Sequence, residues 1–261
     1  MKLENSSMNL SVSNLAWDLE ENPKIFKKLN ELEIKQIEVA ITKISSWDTL
    51  TDNILYEYKE LLSINSLSVK SLQSIFYNTN VSSLEDTTGV LSHIEKLIHI
   101  SKILGVNVLV FGSPSLRKKF NNYELTIKEL FLKIDNLLEG SGVELSIEPN
   151  SKVYGGEYFF TVNEIVEFIR ENNFKNIRTM IDTHNIILEG QDPIEMFNTY
   201  YDDINHIHIS EKQLKPFTIN DLHVTFAEVI RDKKYNKTLT YEVLKHEDFI
   251  NSLSDFSLNY K

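Results

Sequence analysis

Short runs of apolar and β-branched residues alternate with longer amphipathic segments from one end of the chain to the other. The short runs predict strands at Leu10–Ser13, Gln36–Ala40, Ser71–Phe76, Val106–Phe111, Val143–Glu148, Ile177–Asp182, Ile204–Ile209 and Thr238–Val243. Between them, apolar residues recur every three or four positions and predict helices such as Leu50–Ile64, Val90–Leu104, Leu125–Glu139, Val162–Asn172 and Leu222–Lys233. In the fourth of these, Val162, Ile165, Val166 and Ile169 form one stripe, and Thr161 with Glu164 predicts a capping box ahead of it.

Strand–helix alternation of this kind predicts a parallel sheet with helices outside it. Successive strands recur at about 27–37 residues, the length of a βα unit, and eight such units close a ring where fewer leave an open sheet. The expected fold is therefore α/β, a single (β/α)8 TIM barrel. No Pro/Gly/Ser-rich linker or charge tract divides the chain, so residues 1–261 are expected to form one domain. The tail, Ser254–Lys261, is expected to pack loosely or fray.

Composition narrows the chemistry. The 261 residues are 41% hydrophobic and 25% charged, which suits a sizeable core and excludes disordered and fibrous classes. Lys plus Arg number 27 against 38 for Asp plus Glu, a formal charge of −11 with no dense cationic block. Such a chain repels a polyphosphate backbone, so nucleic acid is not an expected partner. Cysteine is absent, which removes disulfides, thiolate zinc sites and cysteine nucleophiles and leaves O and N ligands. None of the eight glycines forms G-x-G-x-x-G or G-x-x-x-x-G-K, which disfavours ATP and NAD enzymes of those types. Met1–Leu10 lacks an apolar signal core, and no stretch approaches the roughly 18 apolar residues of a membrane span, so a cytoplasmic protein is expected.

In such barrels, catalytic groups stand at the C-terminal ends of the strands. The second half of the chain is richer there: strands five to eight supply Glu148, Asp182, His208 and Glu242 in succession. Burying an unpaired carboxylate is expensive, so acids at these positions need a cation. Three carboxylates and one imidazole suit one divalent metal ion, Mn²⁺, Co²⁺, Mg²⁺ or Zn²⁺. Any one of the four could equally be a strand-end polar group bonded to backbone or Lys; four in a row are harder to explain that way. His206 shares a strand face with His208, one layer lower, where a hydrogen-bonded place inside the barrel competes with a ligand or substrate-facing role.

Several stretches carry a family likeness: Leu10–Asp18 with Trp17, Ile37–Lys43 with Glu38, Leu72–Phe76 with Gln73, and Val110–Arg117. It continues through Glu148-Pro-Asn150 with Tyr154-Gly155, Asp182-Thr-His-Asn185, His206-Ile-His208-Ile-Ser-Glu211 and Glu242. In their order and strand placement these resemble the xylose-isomerase-like barrel superfamily, and within it the sugar phosphate isomerase/epimerase branch. The resemblance implies that Glu148, Asp182, His208 and Glu242 bind one divalent ion and that Glu148 and Glu242 also act as base and acid. It implies proton transfer through an enediolate on a small-molecule sugar or sugar derivative. Arg117, Asn150, His184, Asn185 and His223 are then expected to orient substrate or shuttle protons, and Lys43, Gln73 and Trp17 to line the mouth.

Two departures from the family pattern stand out. The histidine often found three residues after the strand-six Asp is replaced by Asn185, with His184 one step earlier. The Arg that ketose 3-epimerases carry beyond the strand-seven His-x-x-Glu is missing, Glu211 being followed by Lys212, Gln213 and Leu214, which weakens a 3-epimerase assignment. Only Gly190 follows Gly156, so no phosphate-gripping glycine loop supports a phosphorylated substrate.

Competing expectations stay open on these residues. A lyase of the keto-inositol dehydratase type uses the same enediolate chemistry, and a non-catalytic carbohydrate-binding barrel or a homodimer is compatible with the sequence. An apurinic endonuclease of this fold needs more metal ligands and a basic DNA face, which the charge opposes. Trp17 and Trp47 can pack the rim, Arg117 can serve as a rim salt-bridge partner, and Lys212 and Lys215 read as solvated loop charges. His93, His99 and His246 are expected on helices as surface or packing residues.

Overall fold

The computed structural model describes residues 8–261. Eight parallel strands pair in chain order: β1 (Asn9–Ser13), β2 (Gln36–Ala40), β3 (Ser68–Gln73), β4 (Val108–Phe111), β5 (Glu144–Ile147), β6 (Ile177–Asp182), β7 (Ile204–Ser210) and β8 (Thr238–Glu242). β1 pairs back onto β8, so the sheet closes into the (β/α)8 TIM barrel expected from the alternation. The helices are α1 (Asn22–Glu31), α2 (Asp52–Ile64), α3 (Thr87–Leu104), α4 (Tyr123–Leu138), α5 (Val162–Glu171), α6 (Thr183–Leu188), α7 (Pro193–Thr199), α8 (Asp221–Asp232) and α9 (Phe249–Tyr260). Among the described residues, no helix is long and apolar enough to cross a membrane. The expectation placed on Met1–Leu10 falls mostly outside the described residues.

The strands alternate as a barrel requires. Outward residues such as Leu10, Val12, Ile37, Val39, Leu72, Leu109, Ile207 and Leu239 join one large core between the ring and the helices. Inside the ring, among the described residues, Val108, Val110 and Met180 form a small apolar cluster separate from that core. The rest of the interior is polar and buried, with Ser11, Ser13, Glu38, Ser71, Ser146, His206, His208 and Thr240 all at most 1% exposed. Layers of Val, Ile and Leu normally fill such an interior. Here it is built to hold polar groups in place instead.

Several local expectations are corrected. β3 lies three residues earlier than expected, because Ser74 takes a left-handed φ of 52° and ends the extended run, leaving Ile75 and Phe76 to pack into the outer core. The capping box of α5 is half formed. The Thr161 hydroxyl accepts from the Glu164 N–H, but the Glu164 carboxylate reaches further back and accepts from Phe159 and Phe160. The chain end does not fray over most of its length: it is helix α9, with Leu253, Phe256 and Tyr260 fully buried at 0% exposure. Its apolar residues, read as a tail, form one stripe against α8 and the outer core. His93 and His99 lie on α3 as expected, whereas His246 sits in the loop between β8 and α9.

Candidate metal centre

Four strand ends converge at the C-terminal mouth. Strand register places Asp182 beside His208, and Ser210 beside Glu242, on neighbouring strands. Glu148 follows β5 directly, where its N–H still donates to Phe111 O. One ligand atom from each of Glu148, Asp182, His208 and Glu242 lies within 4.8 Å of all the others, so the group could hold a metal ion. His208 Nδ1 stands 3.4 Å from Glu148 Oε1, 3.3 Å from Glu242 Oε2 and 3.9 Å from Asp182 Oδ2.

Each donor is held by its own local chemistry. Asp182 caps α6: its Oδ1 accepts from the Asn185 N–H at 2.7 Å and from the Ser210 hydroxyl at 2.9 Å, which leaves Oδ2 towards the cluster. His208 Nε2 stands 2.8 Å from Glu38 Oε1 in a fully buried ion-pair contact. Glu38 in turn takes the Ser71 hydroxyl at 2.6 Å and His206 Nε2 at 2.8 Å on its other oxygen. A carboxylate behind a ligating histidine fixes the tautomer and aims the second nitrogen. Both imidazole nitrogens of His208 are buried without a hydrogen-bond partner, and it is Nδ1 that faces the three carboxylates of the cluster. Gly112 leaves room for Glu148, since a Cβ there would stand 2.2 Å from Glu148 Oε2.

The electrostatics call for a cation. Burial, with Glu148 and Glu242 nearby, pushes the Asp182 carboxyl well above the usual range. Burial also raises Glu242, although His208 opposes it. Burial alone would raise Glu148, yet contacts with His208, Asn150 and Arg117 hold it below its ordinary value. Burial would likewise lower His208, but Glu38, Glu242 and Glu148 together push it well up. Burial works against the Glu38 anion as well, and His208 and His206 outweigh it, keeping that carboxyl well below the carboxylate range. Three mutually repelling carboxylates around an unpaired imidazole nitrogen form a hard and borderline donor set that a divalent ion fits.

The sequence matches the model of the xylose isomerase-like TIM barrel family over residues 26–254. The chain belongs to this family. Solved structures with the same fold include 3-keto-D-glucoside 4-epimerase from E. coli, 15% identical, covering 97% of this chain and 100% of that one at a TM-score of 0.75. D-psicose 3-epimerase from Clostridium cellulolyticum H10, solved with D-tagatose, is 15% identical and covers 97% of this chain and 100% of that one at a TM-score of 0.76. A probable 3-DHS dehydratase from Bacillus anthracis is 14% identical and covers 96% and 98% of the two chains at 0.72. At these identities the likeness is one of fold. No curated protein matches the sequence.

In this xylose isomerase-like barrel, a cavity of about 350 Å³ opens over the four-donor cluster. Glu148, Asp182, Glu242, His184 and Asn185 line it, and the structure adds Tyr154, Ser210, Gln213, Leu214 and Leu244. Burial lowers the pKa of the half-buried His184 imidazole, which favours its neutral form. The other expected substrate residues lie elsewhere. Arg117 is 0% exposed and gives its guanidinium to the carbonyls of Phe111, Glu148 and Phe159, at 2.6, 2.8 and 3.2 Å, so it serves neither as a substrate clamp nor as a rim salt bridge. His223 is buried between Tyr260 and Glu211, at 2.8 and 3.2 Å. His206 lies beneath the cluster on Glu38.

The mouth residues of the first half are also engaged. Lys43 pairs with Asp18 at 2.8 Å, Gln73 bonds to Ser13, and Trp17 stacks on Phe249 with its indole N–H on Asn22. Asn150 is buried beside the Glu148 carboxylate and does not reach the cavity wall. Trp47 packs the rim, donating to Tyr77 O. Sequence reasoning passed over Glu38 and Ser210 as working parts. Both carried a signal: Ser210 shares the face of His206 and His208, and Glu38 is a charged residue between Ile37 and Val39. The apolar lining of Tyr154, Leu214 and Leu244 comes from three separate loops; Tyr154 stood in the family-like stretch after β5, whereas the two leucines carried no signal.

Proposed function

We propose that the protein is a divalent-metal-dependent isomerase or epimerase of a sugar or sugar derivative, acting by proton transfer at a carbon next to a carbonyl. The observation that carries this reading is the convergence of Glu148, Asp182, Glu242 and the partnerless Nδ1 of His208 beneath an open cavity. These four side chains would hold a divalent ion, which would supply Lewis acidity next to the reacting carbonyl.

The chain's own residues do the rest. Glu148 and Glu242 face the cavity from strands on either side of Asp182 and His208, placed to take a proton from one side of the substrate and return it on the other. Neutral His184 and the Asn185 amide offer hydrogen bonds to substrate hydroxyls. Ser210 holds Asp182 in its ligating rotamer. Glu38 holds His208.

The test is exchange of solvent deuterium into a panel of ketoses with and without Mn²⁺. Metal-dependent exchange at the carbon beside the carbonyl is the expected result, and Glu242→Gln should abolish it. Silence across the panel overturns the reading in favour of a carbohydrate-binding barrel. Loss of water from the sugar, seen by mass spectrometry, would assign the site to a lyase.

A further inference from the structure

The cavity lining divides by burial. Glu148, Asp182, Glu242 and Ser210 are its buried floor, with His184, Asn185 and Gln213 as further polar lining, while Tyr154, Leu214 and Leu244 give an apolar wall that is partly open to solvent. Tyr154 and Leu244 are 46% and 49% exposed, an arrangement that leaves apolar surface in water until something covers it.

That wall is built rather than incidental. Gln213 and Leu214 both take left-handed backbone angles, φ 60° and 52°, unusual for side-chain-bearing residues and most of all for Leu. The conformation is pinned from both ends: Leu214 N–H donates to Glu211 O at 2.8 Å, and Leu214 O accepts from Leu244 N–H at 3.2 Å. The loops after β7 and β8 are thus tied together so that two leucines face one cavity. Tyr154 joins the lining from the short helical turn after β5.

Nothing along the cavity grips an anion. Among the described residues, none that lines it is Lys or Arg. Lys118 pairs with Glu157 at 3.8 Å, Lys152 with Glu189 at 3.9 Å, and Lys43 and Lys245 share Asp18 at 2.8 and 2.6 Å. Lys212 is exposed and outside the lining. Two of the amides that open α6 are already taken, His184 N–H by Ser210 Oγ and Asn185 N–H by Asp182 Oδ1. A divalent ion among three carboxylates also leaves the floor net negative, which repels phosphate and carboxylate groups.

We infer that the substrate is an uncharged sugar carrying an apolar substituent, with the sugar on the carboxylate floor and the substituent against Tyr154, Leu214 and Leu244. This deepens the proposed function and rests on it. Specificity then comes from burying the substituent against the wall, an interaction a free sugar lacks and a charged one cannot use.

Calorimetric titration of the Mn²⁺-loaded full chain tests this with a panel of ketohexoses, each presented as free sugar, 6-O-phenyl ether and 6-phosphate ester, all of which keep the carbonyl. The phenyl ether of at least one sugar is expected to bind about tenfold more tightly than its free form, and the phosphate ester more weakly than both. Leu244→Ser and Leu214→Ser are each expected to cut that ether-to-free ratio severalfold, with circular dichroism confirming a folded barrel. Free sugars that bind with no gain from the phenyl group overturn this inference alone. A phosphate ester that binds tightest overturns it too and points to Lys212. If no form binds, both this inference and the proposed function fall.

Discussion

His208 Nε2 stands 2.8 Å from Glu38 Oε1, and that ion-pair contact turns the other imidazole nitrogen towards Glu148, Asp182 and Glu242. Glu38 is 0% exposed and comes from β2, across the ring from β7. Removing its charge while keeping its shape should loosen the orientation of His208 and lower its basicity as a ligand. Glu38→Gln is expected to weaken Mn²⁺ binding by about 10–100-fold. Titration calorimetry reads this directly; unchanged affinity would show that His208 needs no such support.

Gly112 makes a second, steric prediction. A methyl group there would stand 2.2 Å from Glu148 Oε2, so Gly112→Ala must move the carboxylate out of its ligating position. The moving atom is the far end of a side chain, so the barrel itself should tolerate the change. The expected outcome is at least tenfold weaker Mn²⁺ binding with a nearly unchanged urea midpoint. A large loss of stability with intact binding would refute it.

The pH dependence follows from the shifted groups. Asp182 and Glu242 are pushed up by burial and by neighbouring carboxylates, and His208 is pushed up by Glu38 and its other carboxylate neighbours despite burial. A raised acid in the folded chain binds more protons than the unfolded chain, so ion-free stability falls as pH rises through the shifted range. For His208, the stabilisation is full below the unfolded value and is lost as pH rises through the folded one. An ion must displace these same protons, and its affinity therefore rises with pH. Melting with and without saturating Mn²⁺ should show a larger stabilising shift at about pH 8 than at about pH 5.5. A shift that shrinks with pH would contradict the ligand set.

Arg117 is a structural clamp by its contacts. Its guanidinium ties the Phe111, Glu148 and Phe159 carbonyls, and burial pushes its pKa down to about 10. In Arg117→Leu the Phe111 and Phe159 carbonyls keep the Glu148 and Asn150 N–H donors, whereas the Glu148 carbonyl loses the guanidinium, and a buried group left unpaired costs about 1–3 kcal/mol. Urea denaturation should report the loss. A variant of wild-type stability with altered sugar affinity would return Arg117 to the substrate.

The ring and the four candidate donors were legible in the chain without its fold. Strand–helix alternation at βα spacing admits few closed solutions, and an acid or imidazole ending each of four successive apolar strands is costly unless the four meet a shared cation. What the sequence could not determine were relations between distant segments. Whether a polar strand residue such as Glu38 props a ligand from across the barrel, whether Arg117 reaches a substrate or three carbonyls, and which loop residues form the cavity wall all depend on the third dimension. The α9 stripe was legible as apolar spacing, yet only the groove beside α8 shows that Phe256 and Tyr260 have somewhere to go. Period and charge are local properties of a chain, whereas partner choice for a buried polar group depends on what folding brings within about 3 Å of it, and that was decided by tertiary structure alone.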